Sequence, residues 1–137
     1  MAEPTRRAAL LALAARVEQA AEGSRTLDEV ISCAIFPELR AVNDGETIWI
    51  MHGQRVRILD YSDSLDAALS LVPEGMFVKM ATMWQGIVGG SAWIFGPSGR
   101  SMSDIKEWGK SEAAVDRRTP LACALTAAAL RARAAME

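Results

Sequence analysis

The sequence predicts a single α+β domain over residues 1–137, with a small antiparallel sheet of about four strands, in two hairpins, packed with three to four helices. Apolar residues recur at three- and four-residue steps toward both ends of the chain, as in amphipathic helices. The middle holds short β-branched segments separated by glycine, as in strands. The length favours one core over two, because domains of roughly 100–150 residues are the most common. The predicted element order is ααββαββα, a two-layer or three-layer sandwich.

Two helices are predicted at the N-terminal end. The first should run from about Thr5 to Glu22, where leucine and alanine follow helical spacing until Gly23-Ser24. The second should begin at Thr26, whose hydroxyl can accept hydrogen bonds from the free N–H groups of the first turn, and should end before Pro37. Its buried positions are expected to be Leu27, Val30, Ile31, Ala34 and Ile35.

The segments 47–51 and 55–59 predict a hairpin around His52-Gly53-Gln54, and its register can take two forms. A two-residue turn at His52-Gly53 would mix isoleucine and arginine side chains on one face, whereas a three-residue loop separates them. We favour the three-residue loop. It places Ile48, Ile50, Val56 and Ile58 on one face and Trp49, Arg55 and Arg57 on the reverse face.

A short third helix and a second hairpin are predicted next. Residues 65–69 follow a segment in which one of the serines or Asp63 can supply the N-cap, and Pro73 ends the helical pattern. Residues 76–84 and 91–95 predict two strands around a glycine-containing turn.

The last part of the chain is predicted to be a long loop followed by a helix. Residues 96–118 are polar and weakly patterned, with room for a helical turn around Ile105 to Trp108, and loops of this length are usually functional or disordered. The final helix should have Thr119 as N-cap and Pro120 as its first residue, and should run to about Ala135.

Composition restricts the classes of partner and compartment. Fifteen basic and seventeen acidic residues give a net charge of −2, so nucleic acid is not the expected partner. Arg6-Arg7 before an apolar run imitates a signal peptide, but Arg16 and Glu18 interrupt the run and favour an amphipathic helix. No run reaches the roughly 18 apolar residues that span a bilayer. We therefore expect a cytoplasmic protein with no membrane partner.

Residue types that carry chemistry are few. Cys33 and Cys123 fall in helical patterns and are expected to be free, buried, small hydrophobic residues, because no framework of further cysteines supports a disulfide. His52 is the only histidine, and its place beside glycine favours a turn residue over a catalytic base. Helix capping explains the aspartates of residues 60–66. The sequence thus predicts no catalytic residue, metal or cofactor.

Trp49, Arg55 and Arg57 are candidates for binding a ligand or partner. They share the reverse face of the predicted hairpin, where cation–π contact is feasible, but the favoured interpretation is that one of the chain's own helices covers Trp49. Trp93, by contrast, lies between apolar neighbours and is expected in the core.

Three further candidates lie toward the C-terminal half. Trp84 at a strand end and Trp108 in the long loop are candidate surface anchors, because tryptophan is enriched at binding hot spots. Arg100 lies in the stretch 96–101, whose glycines and serines suit either an anion-cradling loop or an ordinary surface turn, and the surface turn is favoured.

Three segments resemble a family of viral proteins: LLALAARVEQAAEGSRTLDEVISCAI, YSDSLDAALSLVPEG and RRTPLACALTAAALRARAAM. In that order they resemble uncharacterised small phage and prophage proteins of alphaproteobacteria, which are similar to the phage alpha-beta-alpha (ABA) sandwich group. The likeness covers nearly the whole chain, and it implies an ABA sandwich, a phage or prophage origin and no catalytic residue. Met76 stands after Glu74-Gly75 where tryptophan is frequent in that family. The landmarks of the likeness are Leu27-Asp28, Tyr61, residues 64–68, Pro73 and Thr119-Pro120-Leu121.

These observations predict a non-enzymatic accessory protein that binds a host factor, such as a component of antiviral defence, in the host cytoplasm. A second hypothesis is a binder that sequesters a small nucleotide signal through Trp49, Arg55, Arg57 or the 96–101 loop. A third is an assembly protein that forms homo-oligomers through its alanine-rich C-terminal helix.

Overall fold

The computed structural model describes residues 5–44, 46–82, 90–98, 104–112 and 119–137. These residues form four helices and six strands in the order ααβββαβββα, so the α+β class is confirmed and the predicted order lacks two strands. The helices are α1 (Arg6–Glu18), α2 (Arg25–Ile35), α3 (Leu65–Leu69) and α4 (Leu121–Ala135). The strands are β1 (Arg40–Asp44), β2 (Glu46–Met51), β3 (Gln54–Val56), β4 (Phe77–Thr82), β5 (Gly90–Pro97) and β6 (Ile105–Ser111).

The strands form two separate antiparallel sheets. The first sheet has the order β1-β2-β3 and the second sheet the order β4-β5-β6. Both predicted hairpins are present, as β2-β3 and β4-β5, and each gains one further strand. The single sheet of about four strands is therefore replaced by two sheets of three.

Helix α4 lies at the centre of the fold, and eleven of its fifteen residues are buried. A side that includes Cys123 and Leu130 joins a hydrophobic cluster with residues of α1 and α2. A second side, with Leu125, Ala128 and Ala132, joins a cluster with the second sheet and α3. Because successive helical residues are about 100° apart, these two sides face in different directions. The layer in the middle is thus a helix, whereas an ABA sandwich has its sheet in the middle.

The two N-terminal helices differ from the prediction at their ends. Helix α1 ends at Glu18 rather than Glu22. Ser24, and not Thr26, is the N-cap of α2, and its hydroxyl accepts a hydrogen bond from the Leu27 N–H at 3.1 Å. Serine and threonine are both favourable N-cap residues, with serine somewhat better, so both Ser24 and Thr26 are candidates in the sequence.

The start of α4 also differs. Pro120, rather than Thr119, is the N-cap, and it supplies no side-chain capping bond. The Thr119 hydroxyl instead donates to the carbonyl oxygen of Glu18 at 2.6 Å, and the Arg131 guanidinium pairs with the Glu18 carboxylate. Thr119 therefore joins the end of α1 to the start of α4, which satisfies a free carbonyl at the end of α1.

The register of the β2-β3 hairpin contradicts the predicted three-residue loop. Met51 pairs with Gln54, which leaves a two-residue turn at His52-Gly53 with φ of 53° and 76°. Positive φ at both positions is typical of the type I′ turn that fits the twist of a hairpin. Ile50 and Arg55 therefore share a face of the sheet. This arrangement is tolerated because neither face of this sheet is fully buried, so apolar and charged side chains need not lie on different faces.

Strand β6 replaces part of the predicted long loop, and the predicted helical turn around Ile105 to Trp108 is wrong. Ile94 pairs with Gly109 and Phe95 with Glu107, so Trp108 is the extra residue of a β-bulge. The bulge breaks the two-residue alternation by which a strand is recognised in sequence.

A buried polar network links α2 to the segment before α3. Asp28 is 1% exposed, and its Oδ1 accepts hydrogen bonds from the Ser62 N–H at 2.9 Å and the Ser62 hydroxyl at 2.6 Å. The Ser62 hydroxyl oxygen accepts from the Ser24 N–H at 2.9 Å, and the Ser62 carbonyl accepts from the Cys123 thiol of α4 at 3.3 Å. We call these contacts the Asp28–Ser62 network. The network holds the segment before α3, through Ser62, against both α2 and α4.

The two cysteines are both free but lie in different environments. Cys123 is buried as predicted, whereas the prediction of a buried Cys33 is wrong because Cys33 is on the exposed side of α2. Burial raises the pKa of the Cys123 thiol to about 11, with nearby carboxylates adding to the effect. The pKa of Cys33 is also raised, by partial burial and by Glu29.

We expect iodoacetamide to alkylate Cys33 and to leave Cys123 unmodified in the native protein at neutral to mildly alkaline pH. The thiolate is the reactive form, and Cys123 is both inaccessible and protonated in that range. Peptide mass spectrometry after timed labelling measures both sites, with labelling in denaturant as the control in which both react. Equal native rates would contradict the burial of Cys123.

Among the described residues, no helix has the length and apolar character that a membrane crossing requires.

Candidate functional site

The structure separates the residues predicted to bind a partner. Trp49 pairs with Val56 and Arg55 with Ile50, so Trp49 and Arg55 project from opposite faces of the first sheet. Their predicted common face is therefore wrong, because the turn is one residue shorter than expected. Arg57 follows β3 and lines two cavities described below.

Two other predicted residues, Trp84 and Arg100, lie outside the described residues. Of the stretch 96–101, Gly96 and Pro97 belong to β5, and Ser98 is bonded to the Asp104 carbonyl. The described part of that stretch is thus the end of a strand.

Two tryptophans differ from their predicted environments, and both are half-buried. Trp93, expected in the core, lies on the outer side of the second sheet, because its neighbours Ala92 and Ile94 take the inner side and are fully buried. Trp108, expected as a surface anchor in a loop, lies in β6 and packs partly against the cluster on the second side of α4. Both errors come from local sequence context, which does not show the face of a strand that meets the core.

The indole nitrogens of Trp49 and Trp108 are buried, and neither has a hydrogen-bond partner among the described residues. A buried N–H without a partner costs free energy, and rings in this position contribute mainly by packing. Lys106 covers the Trp108 ring, with Nζ 4.2 Å from the centroid. Trp108 is therefore less accessible to a partner than the sequence predicts, and Trp49 is half-buried.

The outer side of the second sheet carries a group of aromatic and lysine side chains, which we call the aromatic face: Phe77, Lys79, Trp93, Phe95 and Lys110. The register pairs Phe77 with Phe95, and places Trp93 between Lys79 and Lys110. Side chains of directly paired residues project from the same side of an antiparallel sheet. The five residues therefore form one surface.

Contacts within the aromatic face order its rings, of which Phe77 is exposed and Trp93 and Phe95 are half-buried. The Phe77 and Phe95 rings stack with centroids 6.0 Å apart, and Lys79 Nζ lies 5.1 Å from the Trp93 centroid. Trp93 Nε1 donates a hydrogen bond to Glu112 Oε1 at 3.4 Å. Phe77 is 51% exposed. Helix α4 packs on the inner side of the sheet and so leaves the aromatic face directed outward.

Sequence reasoning missed Phe77, Lys79 and Phe95. The available signal was alternation, because Phe77 and Lys79 alternate with Val78 and Met80 along β4. Apolar residues occur on both sides of this strand, so the outward side does not stand out as polar. Only the pairing with β5 identifies the aromatic residues as one surface.

A small apolar cleft lies between α2 and the first sheet, with a volume of about 210 Å³. We call it the apolar cleft, and its walls are Ser32, Phe36, Leu39, Met51, Val56, Arg57, Ile58, Leu59 and Tyr61. Burial raises the pKa of Tyr61, and the hydrogen bond with Ser32 opposes the shift. Tyr61 thus remains a neutral phenol in the wall of the cleft.

A second cavity of about 370 Å³ adjoins the apolar cleft, because Arg57 and Leu59 line both. We call it the polar cavity, and its remaining walls are Asp60, Ser64, Asp66, Ala67 and Ser70. Arg57 has no hydrogen bond or ion pair with another described residue, although two carboxylates line the same cavity. Asp60 Oδ1 lies 4.0 Å from Arg25 Nη1.

The described residues contain no group of three or more histidine, cysteine, aspartate or glutamate side chains that could hold a metal. His52 lies exposed at the tip of the β2-β3 hairpin. The aromatic face and the two cavities are arrangements that suit binding.

Comparison of the chain with protein-family models, with curated proteins and with solved structures gave no significant match.

Proposed function

We propose that this chain is a phage-encoded or prophage-encoded accessory protein that has no enzymatic activity and binds a host protein, such as a component of antiviral defence. The observation that supports the proposal most is the aromatic face. A solvent-facing side of an antiparallel sheet is ordinarily polar, and contiguous exposed aromatic residues mark interaction surfaces. Aromatic residues with a charged rim are also the usual composition of a binding hot spot.

The charges around the aromatic face favour a protein over a nucleic acid. Lys110 Nζ lies 3.9 Å from Glu107 Oε1 and 3.6 Å from Glu112 Oε1, so carboxylates accompany the lysines. A phosphate backbone requires an excess of basic groups, and the whole chain has a net charge of −2. A rim of both signs suits the mixed surface of a protein.

The hypothesis of an assembly protein requires α4 as the contact surface between copies, but α4 is largely buried within the chain. The aromatic face remains available for self-association. Light scattering on the purified protein distinguishes a monomer, which the proposal expects, from an oligomer formed through this face.

Expression of the wild-type chain is expected to raise the plating efficiency of a restricted phage on a host with an intact defence system, and to change nothing on a host without it. Trp93→Ala and Phe77→Ser should each reduce the gain, because truncation of an aromatic hot spot typically weakens binding by about 2 kcal/mol, or roughly thirtyfold. The matched control is Val42→Ser, which removes a similarly exposed apolar side chain from the first sheet.

Thermal melting of each variant, followed by circular dichroism, shows whether a reduced gain comes from impaired binding or from unfolding of the protein. The proposal is wrong if the wild type gives no gain across several defence systems. It is also wrong if both aromatic variants are folded and retain the full gain.

A further inference from the structure

We propose that the apolar cleft and the polar cavity together bind a hydrophobic α-amino acid, with its side chain in the apolar cleft and its ammonium and carboxylate groups in the polar cavity. Arg57 and Leu59 line both cavities, so the cavities adjoin, and the inference requires that one small molecule extend past these two exposed side chains into both. This inference does not rest on the aromatic face, which belongs to the other sheet.

The dimensions of the apolar cleft suit one hydrophobic side chain. A cavity of about 150 Å³ lined by apolar residues is sufficient for benzene. The apolar cleft has about 210 Å³, and Phe36, Met51 and Val56 provide apolar walls from both the helix and the sheet. A phenyl or branched alkyl group therefore fits, and the flexible Met51 side chain can adapt to either shape.

The charges of the polar cavity select a zwitterionic head group. Arg57 has no described partner, and neither Asp60 nor Asp66 forms an ion pair with it although all three line the cavity. A carboxylate on the ligand can pair with the Arg57 guanidinium in the bidentate geometry that arginine favours. An ammonium group can pair with Asp66 or Asp60, and among the described residues only Asp60 already has an ion pair, with Arg25 at 4.0 Å.

Other ligand classes fit the same walls less well. A phosphate group would meet two carboxylates beside one arginine, which opposes a nucleotide. A fatty acid would leave the aspartates without a cation, and a simple amine would leave Arg57 without an anion. Of these ligand classes, only the zwitterion supplies both an anion for Arg57 and a cation for the aspartates.

Isothermal titration calorimetry with L-phenylalanine and L-leucine tests the inference directly. Binding of L-phenylalanine is expected to be at least about tenfold tighter than that of 3-phenylpropionate, which lacks the ammonium, or of phenethylamine, which lacks the carboxylate. Absence of heat and of thermal stabilisation with both amino acids would overturn the inference. So would equal binding of 3-phenylpropionate, or binding of adenosine monophosphate alone.

Two variants test whether the ligand binds in these cavities. Arg57→Gln should weaken L-phenylalanine binding about tenfold or more, and Met51→Trp should fill the apolar cleft and abolish binding with the fold retained. Arg40→Gln is the matched control, because Arg40 is an exposed arginine of the first sheet outside both cavities. Unchanged binding in a folded Arg57→Gln variant would exclude this site.

Discussion

Replacement of Asp28 by alanine is expected to lower the free energy of unfolding by about 3 kcal/mol or more, since each of two hydrogen bonds to a charged acceptor is worth roughly 1.5–3 kcal/mol. The Asp28 carboxylate is almost fully buried, and it accepts both the N–H and the hydroxyl of Ser62. In the alanine variant the Ser62 N–H would remain buried without its acceptor, and the Ser62 hydroxyl would keep only the Ser24 carbonyl oxygen, at 3.1 Å. The Asp28–Ser62 network would then no longer hold the segment against α2.

Urea unfolding followed by tryptophan fluorescence measures the loss. Asp28→Asn should cost less than Asp28→Ala, because the amide oxygen can still accept from Ser62. The matched control is Glu29→Ala, which removes the next acidic residue of the same helix. Glu29 forms only an exposed ion pair with Arg25 at 3.8 Å, so its replacement should change stability by about 0.5 kcal/mol or less. Equal losses at the two positions would contradict a structural role for the network.

The helices were predictable because their signals are local. Helical spacing identified all four helices, and Ser64 was among the candidates named for the N-cap of α3. The roles of Asp28 and Thr119 were not predictable. Both residue types are common in caps, but here they bond to partners distant in sequence, Ser62 and Glu18. A capping residue and a tertiary contact have the same sequence signature, because both rest on one short polar side chain.

The strands were predictable only where their local composition is typical of a strand. The segments of β2 and β4 are rich in β-branched and aromatic residues, whereas the polar composition and the bulge at Trp108 conceal β6. The hairpin register was decided by the turn, since His52-Gly53 adopts the two-residue conformation although this mixes side chains on the faces. The polarity of the two faces decides the register of a hairpin only where one face is buried, and the described residues of the first sheet form no fully buried face.

Sequence reasoning named Arg57 as a candidate binding residue, and the structure places it in the walls of both cavities. The aromatic face and the neighbours of Arg57 in the two cavities depend on contacts between distant segments. Helix capping explains the residue type of Asp60 and Asp66, but it does not predict the cavity that they share with Arg57. Composition and spacing do not report such contacts in a single sequence.

Replacement of Gly109 by alanine is expected to destabilise the fold by about 3 kcal/mol, at the upper end of the usual cost of overpacking a core. Gly109 lies in β6 directly against α4. A Cβ atom there would lie 2.6 Å from the backbone nitrogen of Ala132, and closer still to the carbonyl oxygen of Ala128. Backbone atoms in the middle of a helix cannot move aside, so the whole sheet must shift from α4. The alanines of α4 and the glycine of β6 together permit this close packing.

Gly96→Ala is the matched control in the neighbouring strand. Neither glycine has a positive φ, so alanine is conformationally acceptable at both positions. At Gly96 the nearest atom to an added Cβ is Met76 Cγ at 2.8 Å, in a flexible side chain that can rotate away. We therefore expect a change of about 1 kcal/mol or less for Gly96→Ala, with some compensation from the reduced entropy of the unfolded chain. Urea midpoints that fall equally in both variants would show that β6 does not rest on the backbone of α4.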